Sequence, residues 1–416
     1  MPLMLTHMSN YDLHVGAPVR RPAVTRALCI ALCVVLALAG MVNLGVLAGL
    51  DPDTLSVFDR ALARSSVLTL IPLGVLWFLD RRERESPWLF ASAFLWGGCI
   101  ATGLAVPFNT IFIQFVDLWV RQHPQVKEVL GPDAALLLAA PISAPIVEEI
   151  SKALGVLLIF WLLRSEFDNM RDGIVYGGLV GLGFNWFESA LYVAQGYAEF
   201  GTPPYGAELG ARYALFGFGG HALFTGLFGA FLGLALQTHR TWLRYVLPFV
   251  GLMLAIAAHM LNNALPLFLA LAGAAQGEPP PAHEPPPNVS FFQAFWGGTL
   301  LHLTVHLPFL AIMAVALWRS GVWERKVIRE ELADEVGPNG AVTAREYRDI
   351  VTDRILHTRR IQEMQPRASA ALVNAQNELA FRKRRLKDLG LDPKLDPVIA
   401  DWRHRIAQLR RIPFAS

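Results

Sequence analysis

Cysteine is almost missing from this chain of 416 residues: three are present, Cys29, Cys33 and Cys99, and all fall inside apolar stretches. That scarcity excludes a disulfide framework and a cysteine metal cluster. Charge is scarce as well, at 17% of residues against 54% hydrophobic, with a mean hydropathy of +0.39. A soluble protein of this length needs a more polar surface, so the chain reads as a polytopic membrane protein. The net charge of +2 says little by itself, and no nucleic-acid partner is expected. A His-Glu-x-x-His helix is absent, which removes the usual metalloprotease signature. No convincing repeat relates the two halves, as an inverted-repeat transporter would require.

What is present is a succession of stretches able to cross about 30 Å of hydrocarbon: residues 27–50, 65–79, 88–107, 134–163, 172–196, 212–237, 244–272 and 291–318. The expected fold class is all-α, a transmembrane helical bundle of about eight spans. Arginines at 20, 21 and 26, then 81, 82 and 84, then 164 and 171, then 240 and 244 flank alternate connections, whereas 273–290 holds no Lys or Arg. The positive-inside rule then puts both termini in the cytoplasm. The first span lacks a convincing small-residue cleavage site and reads as a retained anchor. The expected regions are a cytoplasmic tail over 1–26, a transmembrane domain over 27–318 with its core motifs in 134–270, and a helical appendage over 319–416.

The segment Gly277 to Pro287 is too rich in proline for a helix and reads as a stiff spacer outside the membrane. Beyond Trp318 the chain turns charged and amphipathic. Thr343-Ala-Arg-Glu346 has the form of a capping box, opening a helix that should stop near Pro366. Further helices are expected over 366–390 and 397–411. The run Arg382-Lys383-Arg384-Arg385 has two readings, a patch for anionic lipid heads or a solvated helix face.

The chemistry sits in the spans. Glu148, Glu149 and Lys152 fall near the middle of one of them, and charge at that depth costs about 2.5–3.5 kcal/mol per group on insertion scales. Helical spacing puts Lys152 within reach of both acids, at i+4 and i+3, and leaves one negative charge over. Burial and a like-charged neighbour favour the neutral acid while the ammonium favours the carboxylate. Between them, one acid can take a proton from water as a general base does. Pro141 and Pro145 just upstream should kink or restart the helix and expose polar backbone. The next span carries Glu188, with Tyr192 one turn on. Its Gly173, Gly177 and Gly181 form a small-xxx-small stripe expected to bring Glu188 near Glu149. His221 opens the following span, and His259 and Asn263 share a face of the one after. These ionisable groups fall at one depth, between the middle and the outer half of the bilayer. A histidine and an amide together can donate to an oxyanion. His302 and His306, also four apart, are alternative metal ligands.

These residues resemble the PrsW family of intramembrane proteases, itself similar to the CAAX-type membrane endopeptidases. The matching pieces are Glu148-Glu149-Ile-Ser-Lys152, Phe184-Asn-Trp-Phe-Glu188, His221, and His259 followed by Asn263, in the family's order on successive spans. Asp172-Gly-Ile-Val-Tyr-Gly177 and Gly181-Leu-Gly-Phe184 add to it. The resemblance covers about residues 134 to 270 and neither the tail nor the proline-rich loop. It implies a bacterial membrane protease that cuts a membrane-anchored protein, an anti-sigma factor in the prototype, with no cofactor. Glu148 would be the base, Glu149 and Glu188 would share or relay protons, His259 and Asn263 would stabilise the oxyanion, and His221 would orient water or substrate. At one position the chain departs from the CAAX-type enzymes, which carry a histidine where Glu188 stands. The rival readings are a proton- or cation-coupled transporter, a zinc-dependent membrane protease using His302 or His306, and an inactive scaffold.

Overall fold

The structure, a computed structural model, describes residues 51–82, 87–162, 167, 169–238, 240–338, 340–352, 364, 366–388 and 390–411, with isolated positions between 27 and 38. The described part is 84% helical and contains no strand. Among the described residues five helical stretches are long and apolar enough to cross a membrane: Pro52–Leu79, Pro87–Gln122, Ala214–Leu236, Thr241–Ala275 and Leu307–Glu335. The expected span over 27–50 lies outside the described residues. The stretch 291–318 divides at His306 into two helices, the first only 15 residues long. The stretch around Glu148 carries three charges in five positions and is correspondingly less apolar.

Contacts divide the chain into a larger unit, Cys29–Phe78 with Phe90–Ala314, and a smaller one, Met1–Leu28, Leu79–Leu89 and Val315–Ser416. In chain order the helices that enter the larger unit are α1 (Pro52–Leu79), α2 (Pro87–Leu95), α3 (Thr102–Gln122), α4 (Pro124–Leu130), α5 (Ala134–Ala139), α6 (Ser143–Leu162), α7 (Met170–Phe200), α8 (Tyr205–Arg212), α9 (His221–Leu236), α10 (Thr241–Ala275) and α11 (Phe291–Val305). A π-helical turn, Trp96–Ala101, joins α2 to α3.

The centre of this unit is α7. A capping box between Asn169 and Asp172 starts it, and left-handed Gly201 (φ 71°) ends it. Its glycine stripe lies against α9 rather than against α6. A Cβ on Gly173 would sit 1.9 Å from the Gly229 carbonyl oxygen, and one on Gly181 would sit 2.1 Å from the His221 carbonyl oxygen. No larger residue fits that crossing, so the stripe fixes α9, and His221 with it, beside α7. The break expected from Pro141 and Pro145 falls at residues 140–142 and separates α5 from α6. Before α9, Leu215 (φ 50°) and Phe216 (φ 55°) hold left-handed conformations in a short 3-10 turn (Ala214–Gly217), and the Leu215 N–H donates to Thr299 Oγ1 at 3.1 Å.

The proline-rich loop is irregular, as its composition dictates, but it is tied down rather than a free spacer. His283 Nδ1 lies 3.0 Å from Asp133 Oδ1 and its Nε2 lies 3.0 Å from Glu199 Oε1, with the ring 5.1 Å from that of Phe200. The hydrogen bond and charge of Asp133, then those of Glu199, raise the imidazole above its ordinary value.

The smaller unit continues with α12 (Leu307–Leu332), which begins in the larger one, and then α13 (Ala344–Val351), α14 (Pro366–Asp388) and α15 (Pro397–Leu409). The Thr343–Glu346 capping box opens α13 as its sequence indicates. Leu332, Leu372, Leu379, Ile399 and Trp402 anchor a core of its own. The basic run on α14 is engaged in ion pairs within this unit, with Lys383 buried and its neighbours partly exposed. Arg382 pairs with Asp396 at 2.8 Å, and Arg384 pairs with Asp388 at 3.1 Å. Lys383, 2% exposed, reaches the Glu331 carbonyl, Asp334 and Glu335. Glu335 takes two further hydrogen bonds from Arg403, at 3.1 and 2.7 Å.

Two outcomes are expected. Because the folded imidazole of His283 binds its proton more tightly than the unfolded one, its contribution to stability is complete below about pH 6.5 and fades as pH rises through the raised folded value. His283→Ala should therefore lower the melting temperature at pH 6 and converge with wild type at pH 9. Removing the buried ammonium leaves Glu335 to Arg403 alone and the Glu331 carbonyl without its donor, so Lys383→Ala should cost about 1–3 kcal/mol in urea unfolding of the full chain, while Arg384→Ala should stay within about 0.5 kcal/mol.

Candidate functional site

Lys152 is 0% exposed, and its ammonium is the hub of the polar cluster. Nζ lies 3.2 Å from Glu148 Oε2, 2.9 Å from Glu149 Oε1 and 2.9 Å from His221 Nδ1, and it sits 3.7 Å from the centre of the Phe184 ring. The one-turn spacing on α6 sets the first two contacts, and the α7–α9 crossing sets the others.

The two adjacent acids have different surroundings. Glu149 is enclosed: besides Lys152 it accepts from Thr225 Oγ1 at 2.9 Å and meets His259 Nδ1 at 3.0 Å. Glu148 borders an open cleft of about 210 Å³, room for several water molecules, between α3, α5, α6 and α7. Asn109, Ser143, Glu188, Tyr192 and Asn263 line it as well. Water therefore has a path to Glu148 and none to Glu149 by that route.

Glu188 meets His221 rather than Glu149. Its Oε2 lies 2.9 Å from His221 Nε2 and 2.6 Å from Arg212 Nη1. A carboxylate can only accept, so Nε2 of His221 and Nδ1 of His259 carry the ring protons. This assignment leaves His221 Nδ1 and His259 Nε2 as lone pairs, and each lies 3.9 Å from Glu148 Oε2. Asn263 Nδ2 adds a contact to His259 Nε2 at 3.4 Å and one to the Ala140 carbonyl at 3.3 Å, at the break before α6. With neutral imidazoles, four carboxylates, those of Glu148, Glu149, Glu188 and Glu208, face two cations, Lys152 and Arg212, and the cluster carries an excess of negative charge.

Glu148, His221 and His259 together offer three metal-type donors, all within 4.8 Å of one another. No other such group of three occurs among the described residues. His302 and His306 stand apart from it: their Nδ1 atoms meet at 2.9 Å, and His306 Nε2 reaches the Ala258 carbonyl at 3.2 Å. The aromatic ring of Phe224 lies between His306 and His259, 5.4 and 5.1 Å from them.

All six residues singled out in the sequence thus gather within one cluster, Glu149 and Glu188 at opposite sides of it. Sequence spacing did not reveal Thr225, Arg212, Asn109 or Ser143. Thr225 lies one turn beyond His221 and Asn109 is one of several polar residues on α3, so neither stands out, and Arg212 is marked only by Glu208 four residues earlier.

A family model described as PrsW family intramembrane metalloprotease matches residues 85–279, a stretch that contains every residue of the cluster. Protease PrsW of Geobacillus kaustophilus (strain HTA426) is 30% identical over 182 residues, 42% of this chain and 69% of that protein. Protease PrsW of Oceanobacillus iheyensis is 27% identical over 179 residues, 42% of this chain and 71% of that protein. No solved structure matches the chain. With its apolar crossing helices, its matched stretch and these relatives, the chain belongs to the PrsW family and is an integral membrane peptide hydrolase.

Proposed function

We propose that the chain hydrolyses a peptide bond of a membrane-anchored protein, using water that enters the cleft and meets Glu148. The observation that carries this reading is the arrangement around that one acid. Its Oε2 is turned toward two imidazole lone pairs, each oriented by a carboxylate of its own, while its Oε1 is turned to Asn109 on the cleft wall.

In this reading Glu148 takes the proton of the attacking water at Oε1. Asn263 Nδ2 is the donor for the developing oxyanion. His259 is the weaker candidate for that task in its neutral form, because the contact with Glu149 leaves Nε2 without a proton. Glu149 and Glu188 hold the two rings in register, and Lys152 keeps Glu149 ionised beside its neighbour.

The family description names a metalloprotease, and the donor set fits a divalent ion. Two imidazoles with a carboxylate are a common catalytic zinc set, and histidine ligands usually bind a carboxylate through their second nitrogen, as His221 and His259 do here. The uncompensated negative charge fits a cation equally well. Glu148, His221 and His259 would hold the ion once Lys152 released His221 Nδ1 and Asn263 released His259 Nε2, and His302 and His306 would not. Bound there, it would supply a Lewis acid for the scissile carbonyl and a more acidic water.

About eight crossings, both termini and the helical appendage in the cytoplasm, and a bacterial cell membrane complete the proposal, supported by the alternating arginine flanks. The substrate is a single-span or lipid-anchored protein such as an anti-sigma factor. Membership of a protease family argues against the transporter reading.

In proteoliposomes with candidate single-span substrates, Glu148→Gln and, separately, His259→Ala should each lower kcat/KM by about 10²-fold or more. Undiminished cleavage by both variants would remove the assignment. Loss of activity with chelator, its recovery with zinc, and a zinc-dependent rise in melting temperature that Glu148→Gln abolishes are expected of the ion-holding set.

A further inference from the structure

Asn109 lies on α3, outside every motif that marks the family, and it is half-buried on a helix whose other faces carry Leu104, Phe108, Ile111 and Phe115 at 42–67% exposure. A carboxamide on so apolar a helix is costly unless its bonds are made. They are made in one direction. Ser143 Oγ donates to Asn109 Oδ1 at 2.7 Å, and Asn109 Nδ2 donates to Glu148 Oε1 at 3.2 Å. Ser143 is the first residue of α6 after the break at residues 140–142, so the interruption in that helix is what brings a hydroxyl within reach of α3.

The order of these bonds has a consequence. With its oxygen engaged by Ser143, the amide can present only its N–H₂ to Glu148; the flipped amide would set oxygen against oxygen. The terminal torsion of a glutamate is broad and weakly determined. Held only by Lys152 at 3.2 Å, the Glu148 carboxylate could turn both oxygens onto the ammonium or swing out into the cleft. The bond to Oε1 opposes both movements and keeps Oε2 toward the imidazoles.

We infer that Asn109 is a positioning residue for Glu148, and that Ser143 steadies the amide in the orientation the acceptor-only carboxylate requires. This rests on the proposed role of Glu148, and the experiment separates the two. In full-length protein in proteoliposomes, the infrared carboxylate band of Glu148 is identified by its loss in Glu148→Gln. That band should shift in Asn109→Leu, shift less in Ser143→Ala, and return toward its wild-type position in Asn109→Gln, which restores a donor. With a single-span substrate, Asn109→Leu should lower kcat about tenfold, the equivalent of one lost hydrogen bond, with KM unchanged. Asn109→Asp, of the same shape but without the donor, should be no better than leucine, and Asn109→Gln should recover part of the rate.

An unshifted band in Asn109→Leu, or wild-type kcat in both Asn109→Leu and Asn109→Asp, overturns the inference. Should Glu148→Gln cleave at the wild-type rate, the catalytic reading of Glu148 falls, and the infrared shift alone then decides whether Asn109 positions it. If Asn109→Leu does not fold, the band and rate of Ser143→Ala and Asn109→Gln decide in its place.

Discussion

One ammonium makes the rest of the site possible. Lys152 has no exposure to solvent, and two adjacent buried carboxylates could not both be ionised without it. It satisfies them within a single turn of α6 and spends its third contact on His221 of α9. Because that contact fills one imidazole lone pair from inside, the ammonium also holds the ring whose other nitrogen Glu188 engages. Acids on two helices and histidines on two more are thereby bound into one network, with an excess of negative charge left for a proton or a metal ion to meet.

The network needs its helices at close range, and glycine provides that. The stripe on α7 removes the side chains that would separate it from α9, so that carbonyl oxygens of one helix lie where Cβ atoms of the other would be. Close crossing of this kind depends on van der Waals contact, the force available between helices in a medium as apolar as themselves. The break before α6 has the complementary effect. It opens space beside Glu148, frees the Ala140 carbonyl for Asn263, and starts a new helix with Ser143. Packing on one side and interruption on the other are why one glutamate faces a cleft while its neighbour does not.

The smaller unit uses the same electrostatic device for a different end. Lys383 is nearly as buried as Lys152 and gathers Asp334, Glu335 and a carbonyl from the end of α12. Here, however, a bidentate Arg403 completes the set. A buried cation whose acids are fully compensated is a fastening, whereas one outnumbered by its carboxylates beside water is a candidate for chemistry.

From the sequence alone come the helical class, the membrane environment, the break at Pro141, the capping box at Thr343, and the six polar residues that meet in the cluster. All of these follow from local rules, namely hydropathy over a span, the missing N–H of proline, side-chain caps, and the cost of charge in hydrocarbon. Pairing across helices does not follow from such rules. The sequence reading joined Glu188 to Glu149, but the glycine stripe turned it to His221. A proline-rich spacer became a loop fastened by His283, and within the basic run Lys383 turned inward to Asp334 and Glu335. Asn109 carries no periodicity that would mark it, and its role depends on a partner thirty-nine positions away. Which oxygen of Glu148 faces which neighbour is set by the crossing of α3, α6, α7, α9 and α10, because side-chain contacts between helices depend on their rotation and separation, quantities no single helix encodes.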